Sequence, residues 1–141
     1  MKRRSNLTKG NEMLDKFECR FLIVDDAKEI PIIVIKFLKK YGFKHFHIAN
    51  DGEQAINIMR HSEINMIIAD WNMPIVDGIE LLKTIRSNVS WENIPFIMLT
   101  AESSAEHVNA ACNYKANGYI VKPFTPNTLI EKVEQILSDN H

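Results

Sequence analysis

Four short apolar runs in this chain each end at a side chain able to do chemistry. Phe21-Leu22-Ile23-Val24 ends at Asp25-Asp26, Met66-Ile67-Ile68-Ala69 at Asp70, Phe96-Ile97-Met98-Leu99 at Thr100, and Tyr119-Ile120-Val121 at Lys122-Pro123. If the runs are parallel strands, three carboxylates, a hydroxyl and an ammonium gather at one sheet edge. In open α/β sheets, ligands bind outside the strands' carboxyl ends. Crowded carboxylates repel one another. A hard divalent cation such as Mg²⁺, which takes oxygen ligands, relieves that repulsion. An aspartate can also carry a phosphoryl group. Phosphoryl transfer needs charge neutralisation and positioning above all, and Lys122 and Thr100 offer a positive charge and a hydrogen bond. Taken singly, an Asp-Asp pair is ordinary turn chemistry, and a lone Thr or Lys is a cap or a solvated charge. Their coincidence at one end of every run points to an aspartyl-phosphate site.

The elements that must position these residues follow from periodicity. Ile30, Ile33, Val34, Phe37, Leu38 and Tyr41 recur at the spacing of one helix face. Pro31 is tolerated only in that helix's first turn, and Gly42 ends it. His45 to Ala49 reads as a short strand, and Asp51-Gly52 opens a second helix to about His61. Asp77 caps a third helix carrying Ile79, Leu82 and Ile85. Ser103 and Glu106 form an S-x-x-E capping box for a fourth. The fourth helix's core candidates, Ala105, Val108, Ala111 and Cys112, are small and anchor it weakly. Thr125-Pro126 starts a fifth, with Leu129, Ile130, Val133, Ile136 and Leu137 on its buried side. Five βα units with near-continuous apolar strands predict a parallel sheet covered on both faces.

The chain has 141 residues, 45% hydrophobic and 25% charged, which suits one soluble domain. Its net charge of −1 argues against nucleic-acid binding. Residues 1–18 carry five basic and three acidic residues and read as an N-terminal extension, disordered to about Gly10, with a possible helical turn from Asn11 to Phe17. Residues 19–141 form the domain. Lys2-Arg3-Arg4 precedes no apolar stretch, so neither a secretory signal nor membrane insertion is expected. Cys19 and Cys112 read as free thiols of a reducing, cytoplasmic setting. His45 and His47 share a strand face, where exposed edge-strand histidines are favoured over a metal pair.

The residues that carry chemistry also carry a resemblance. Val24-Asp25-Asp26, Asp70-Trp71-Asn72-Met73-Pro74, Asp77-Gly78, Thr100-Ala101-Glu102 and Tyr119-Ile120-Val121-Lys122-Pro123-Phe124-Thr125 resemble the receiver domain of two-component response regulators, in its CheY-like, chemotaxis-type form. The match runs in order from about Cys19 to Leu137. It implies a flavodoxin-like, doubly wound, five-stranded parallel sheet of order 2-1-3-4-5 with five helices.

The resemblance also implies roles. Asp70 is the phosphoacceptor, and Asp26, Asp70 and the Asn72 backbone carbonyl ligate Mg²⁺, with Asp25 acting mainly through a metal-bound water. Lys122 and Thr100 contact the phosphoryl group, and the Lys122-Pro123 bond is cis. Thr100 and Tyr119 form a switch, and Asn72 and Glu102 tune hydrolysis. A histidine kinase would supply phosphate. The surface of the fourth helix, fifth strand and fifth helix would bind a protein target such as the flagellar switch, and the chain would work as a monomer rather than as a turnover enzyme.

The resemblance has departures. Ala27-Lys28-Glu29-Ile30-Pro31 stands where CheY-like proteins commonly carry a small hydroxyl residue, methionine and arginine. That puts the first helix's choice of histidine-containing partner in question. Ile32 and Ile35 lie outside that helix's main stripe. Two other functions compete with a stand-alone receiver. One is a phosphorelay shuttle passing phosphate to a histidine phosphotransfer domain. The other is a phosphatase with an aspartyl intermediate, disfavoured because its known aspartate spacing is Asp-x-Asp.

Overall fold

A computed structural model describes residues 15–139. The expected disorder of residues 1–10 lies outside that range. A 3₁₀ turn, Lys16–Glu18, leads into β1 (Arg20–Val24), α1 (Glu29–Tyr41), β2 (His45–Ala49), α2 (Gly52–His61), β3 (Met66–Ala69), α3 (Gly78–Ser87), β4 (Phe96–Thr100), α4 (Ala105–Asn113), β5 (Gly118–Val121) and α5 (Pro126–Asp139). The five strands are parallel in the order β2-β1-β3-β4-β5.

Strand alternation explains why both faces are covered. Leu22, Val24, Ile67, Ala69, Phe96 and Met98 face one core with Ala55, Met59, Leu81, Leu82, Ile85 and Ala111 of α2, α3 and α4. Their neighbours Phe21, Ile23, Met66, Ile68, Ile97 and Leu99 face the other, with Val34 and Leu38 of α1 and Leu129, Val133 and Ile136 of α5. Every residue of β3 and β4 is buried. Slipping any strand by one residue would exchange the two sets, so register is strongly specified.

Two helices differ from expectation. In α1 the buried residues are Pro31, Val34 and Leu38, while Ile33 and Tyr41 are exposed. The helix is turned so that Ile35 packs partly against the core. Tyr41 reaches sideways, donating its hydroxyl proton to Glu134 on α5 and meeting Phe17 edge-on. In α4 the N-cap is Ser104, whose hydroxyl accepts the His107 N–H. Ser103 does not cap it, because the helix begins one residue later than the S-x-x-E pattern requires. Of the expected core residues in α4 only Ala111 is buried, and Ala105 and Cys112 are exposed. A true capping box instead opens α3, between Asp77 and Glu80.

Candidate functional site

The sheet's hydrogen bonding carries the strand ends directly into the polar cluster. Asp25 N–H donates to the Ala49 carbonyl (3.1 Å), Asp70 N–H to that of Val24 (2.9 Å), and Lys122 N–H to that of Thr100 (2.9 Å). Each is the first residue beyond its strand or its neighbour, so their side chains leave one edge at nearly one level. Carboxylate oxygens of Asp25, Asp26 and Asp70 lie within 4.8 Å of one another. Asp25 and Asp70 are 2% and 8% exposed, whereas Asp26 opens to solvent.

Lys122 neutralises this cluster from the far side. Its Nζ lies 2.8 Å from Asp25 Oδ2 and 3.7 Å from Asp70 Oδ2. The ammonium is therefore held first by Asp25, a pairing that sequence spacing does not announce. Backbone donors fix the other oxygens: Ala27 N–H donates to Asp25 Oδ1 at 2.9 Å, and Trp71 N–H to Asp70 Oδ1 at 2.8 Å. Burial pushes the Asp25 carboxyl above its usual range, and the nearby Asp70 charge adds to this. Lys122 and the Ala27 N–H offset part of the shift. A half-desolvated group of hard oxygens with one ammonium is a donor set that fits a small divalent cation.

The loop behind Asp70 is packed to its limit. Gly78 N–H donates to the Trp71 carbonyl at 2.7 Å. A Cβ at Gly78 would meet the Asp70 carbonyl oxygen at 2.2 Å and Trp71 Cα at 2.7 Å. Beyond the loop, the exposed Asn72 amide donates to Glu102 Oε2 at 2.5 Å.

Thr100 and Tyr119 lie on one face of the sheet because Met98 pairs with Tyr119 and Thr100 with Val121. Both hold the same residue. The fully buried Thr100 Oγ1 accepts the Glu102 N–H at 3.3 Å, and the Tyr119 hydroxyl donates to the Glu102 carbonyl at 2.6 Å. Burial pushes the Tyr119 phenol upward, with the Glu102 and Asp70 charges adding to the effect.

Other singled-out residues fall elsewhere. His45 and His47 lie on edge strand β2 but are half-buried, not freely exposed. His45 Nε2 meets Glu18 Oε1 at 3.0 Å, and the Nδ1 of His47 is buried without a partner. His107 was not singled out by sequence, yet its ring packs on Trp71 with centroids 4.7 Å apart. Only the N-cap pattern pointed to its neighbourhood. The Lys122-Pro123 peptide is cis.

The comparisons with known proteins agree with this arrangement. The response regulator receiver domain model matches residues 21–134. The chain belongs to the response regulator receiver family. It is 40% identical over 117 residues to chemotaxis protein CheY-3 of Vibrio cholerae, covering 83% of this chain and 90% of that one. It is 36% identical to chemotaxis protein CheY of Pseudomonas aeruginosa, covering 83% and 94% respectively. Among solved structures, a putative response regulator from Chloroflexus aurantiacus superposes with a TM-score of 0.81 at 30% identity, covering 86% of this chain and 98% of that one. V. cholerae CheY4 superposes with a TM-score of 0.78 at 32% identity, covering 84% and 98%. This receiver is therefore CheY-like in fold and type. Receivers are signalling domains, not turnover enzymes, and they bind Mg²⁺ through an acidic pocket. Asp25, Asp26 and Asp70 form an acidic cluster here. Among the described residues, no helix is long and apolar enough to cross a membrane.

Proposed function

We propose that this receiver takes a phosphoryl group onto Asp70 from a histidine kinase and relays the event to a protein partner. The observation that carries the reading is the cluster of Asp25, Asp26 and Asp70 within 4.8 Å, with Lys122 Nζ 3.7 Å from Asp70 Oδ2. An Asp70 oxygen attacks the phosphorus of a phosphohistidine, so that a P–O bond forms and the P–N bond breaks. Lys122, held by Asp25 at 2.8 Å, turns toward the incoming phosphoryl oxygens and neutralises their charge. Asp25, Asp26, Asp70 and the Asn72 carbonyl would hold Mg²⁺, which supplies further positive charge against those oxygens. Water later attacks phosphorus, restoring the Asp70 carboxylate and releasing phosphate. Asn72 and Glu102 flank that path and set its speed.

The output follows from the shared grip on Glu102. When Thr100 Oγ1 turns to a phosphoryl oxygen, it ceases to accept the Glu102 N–H. Residue 102 relaxes, the acceptor of the Tyr119 hydroxyl moves, and Tyr119 repacks. The β4–α4 connection and the surface of α4, β5 and α5 change with it. α4 is the element that shifts at least cost, since Ala111 is its only fully buried residue. The chemotaxis relatives favour a chemotaxis-type target, such as the flagellar switch, for that surface.

Trp71 adjoins the cluster and reports on it. In a Trp91→Phe background, millimolar Mg²⁺ should change Trp71 emission saturably, and chelation should reverse the change. Acetyl phosphate should produce a further change only with Mg²⁺ present. Emission that ignores Mg²⁺, or a phosphodonor response that persists under chelation, refutes the reading.

A further inference from the structure

One side chain outside the motifs that carry the resemblance touches both flanks of the site. His107, in the first turn of α4, forms a chain of contacts that ends at the phosphoacceptor loop. The Ser104 hydroxyl oxygen accepts the His107 backbone N–H at 3.2 Å and lies 2.6 Å from His107 Nδ1. With its oxygen accepting, the hydroxyl proton is free to donate to Nδ1. Nε2 is the ring nitrogen left to face the site. That nitrogen faces Glu102 Oε1 at 3.6 Å. The other Glu102 oxygen takes the Asn72 amide at 2.5 Å. The same imidazole packs edge-on against Trp71, with centroids 4.7 Å apart and planes at 76°.

We propose that His107 is a positioning residue for hydrolysis of the Asp70 acyl phosphate, acting through Glu102. The Glu102 carboxylate lies between the Asn72 amide of the phosphoacceptor loop, which donates to one oxygen, and the His107 ring of α4, 3.6 Å from the other. Ser104 fixes the imidazole, and Trp71 closes the ring's other side. Removing the imidazole takes away the ring that faces the second Glu102 oxygen and packs on Trp71, and the groups lining the water's approach become less defined. Small displacements of such groups are costly: about 1 Å can lower a rate by about 10²-fold. Because His107 belongs to α4, a partner that grips α4 would alter the signal's lifetime through the same contact. The inference rests on Asp70 phosphorylation, and its test has an arm that does not.

In the Trp91→Phe background, His107→Ala should change Trp71 emission before any phosphodonor is added. After loading with acetyl phosphate and Mg²⁺, and removal of the phosphodonor with Mg²⁺ kept present, the His107→Ala acyl phosphate should live at least about threefold longer, well inside that positional sensitivity. His107→Gln, which keeps a polar amide facing Glu102, should restore most of the wild-type rate. In a Glu102→Ala background, His107→Ala should have no further effect on lifetime. An unchanged or shortened lifetime in His107→Ala, or the same factor with and without Glu102, overturns the proposal. If neither the wild type nor His107→Ala is phosphorylated while the emission difference is present, the underlying assignment of Asp70 has failed instead. Thermal midpoints matched to wild type separate positioning from folding.

Discussion

Gly78→Ala should damage this receiver far more than a single methyl group suggests. Gly78 opens α3 directly behind Asp70. Its backbone is not in the left-handed region, so alanine faces no torsional penalty there. On helix propensity alone the change should stabilise by about 0.5–1 kcal/mol. Packing reverses that sign. The new Cβ would stand 2.2 Å from the Asp70 carbonyl oxygen, where ordinary contact begins at 3.4 Å, and 2.7 Å and 2.9 Å from Trp71 Cα and the Asp70 carbonyl carbon. All three atoms are backbone, with no flexible side chain to yield. The helix start or the Asp70–Trp71 peptide must therefore move by roughly 1 Å, at an overpacking cost of about 1–3 kcal/mol. A shift of that size at Asp70 disturbs its 3.7 Å approach to Lys122 and should slow phosphorylation by about 10²-fold. Urea denaturation measures the first effect, and the Trp71 emission rate after acetyl phosphate and Mg²⁺ the second. Wild-type stability together with wild-type phosphorylation in Gly78→Ala would refute the reasoning. Lost stability with a normal rate would show that the strain is absorbed by α3 alone.

Other residues make separate demands. The Arg86 guanidinium, its pKa lowered by burial, donates to the carbonyls of Glu92, Ile94 and Lys115 and to Asn117 Oδ1. Arg86→Ala should cost about 2–3 kcal/mol in urea denaturation, and Arg86→Lys should recover little, because one ammonium cannot reproduce the fork. Ile75 is 70% exposed at φ 70°, a conformation that β-branched residues disfavour. Ile75→Asn should raise stability by about 1 kcal/mol, and an unchanged urea midpoint would contradict the strain. Burial pushes the Glu134 carboxyl upward, but the Lys16 ammonium and the Tyr41 hydroxyl outweigh it and hold it below the usual carboxylate range. A depressed carboxyl contributes stability above its unfolded pKa and loses it as pH falls through the folded one. Glu134→Gln should therefore flatten part of the stability loss below about pH 4.5, which acid titration of the thermal midpoint would show. Thr100→Val, which keeps the buried shape, should still accept phosphate on Asp70 but should not transmit it to amide exchange in α4.

What was legible in the sequence follows from which interactions are local. The apolar runs from Phe21, Met66 and Phe96 are buried on both sides, so their hydrophobicity alone marked them as interior parallel strands. Asp25, Asp26 and Asp70 converge because each follows such a strand, and strand ends are level in a parallel sheet. Helix faces are less legible. Tyr41 has the right spacing for the core, yet a phenol at the last turn gains more from Glu134 and Phe17 than from burial. The Ser103 capping box failed because the helix begins one residue later, and only the chain's path selects Ser104. Side-chain pairings that cross elements, Lys122 with Asp25 and His107 with Glu102, depend on distances no one-dimensional pattern contains.

The most direct test of the account is where the phosphoryl group sits. Incubation with acetyl phosphate and Mg²⁺, followed by intact mass measurement, should show the addition of one phosphoryl group. Peptide mapping should place it on Asp70, and Asp70→Asn should show no addition. A phosphorylated species that persists in Asp70→Asn, or none in the native protein when Mg²⁺ is present, would contradict the central claim.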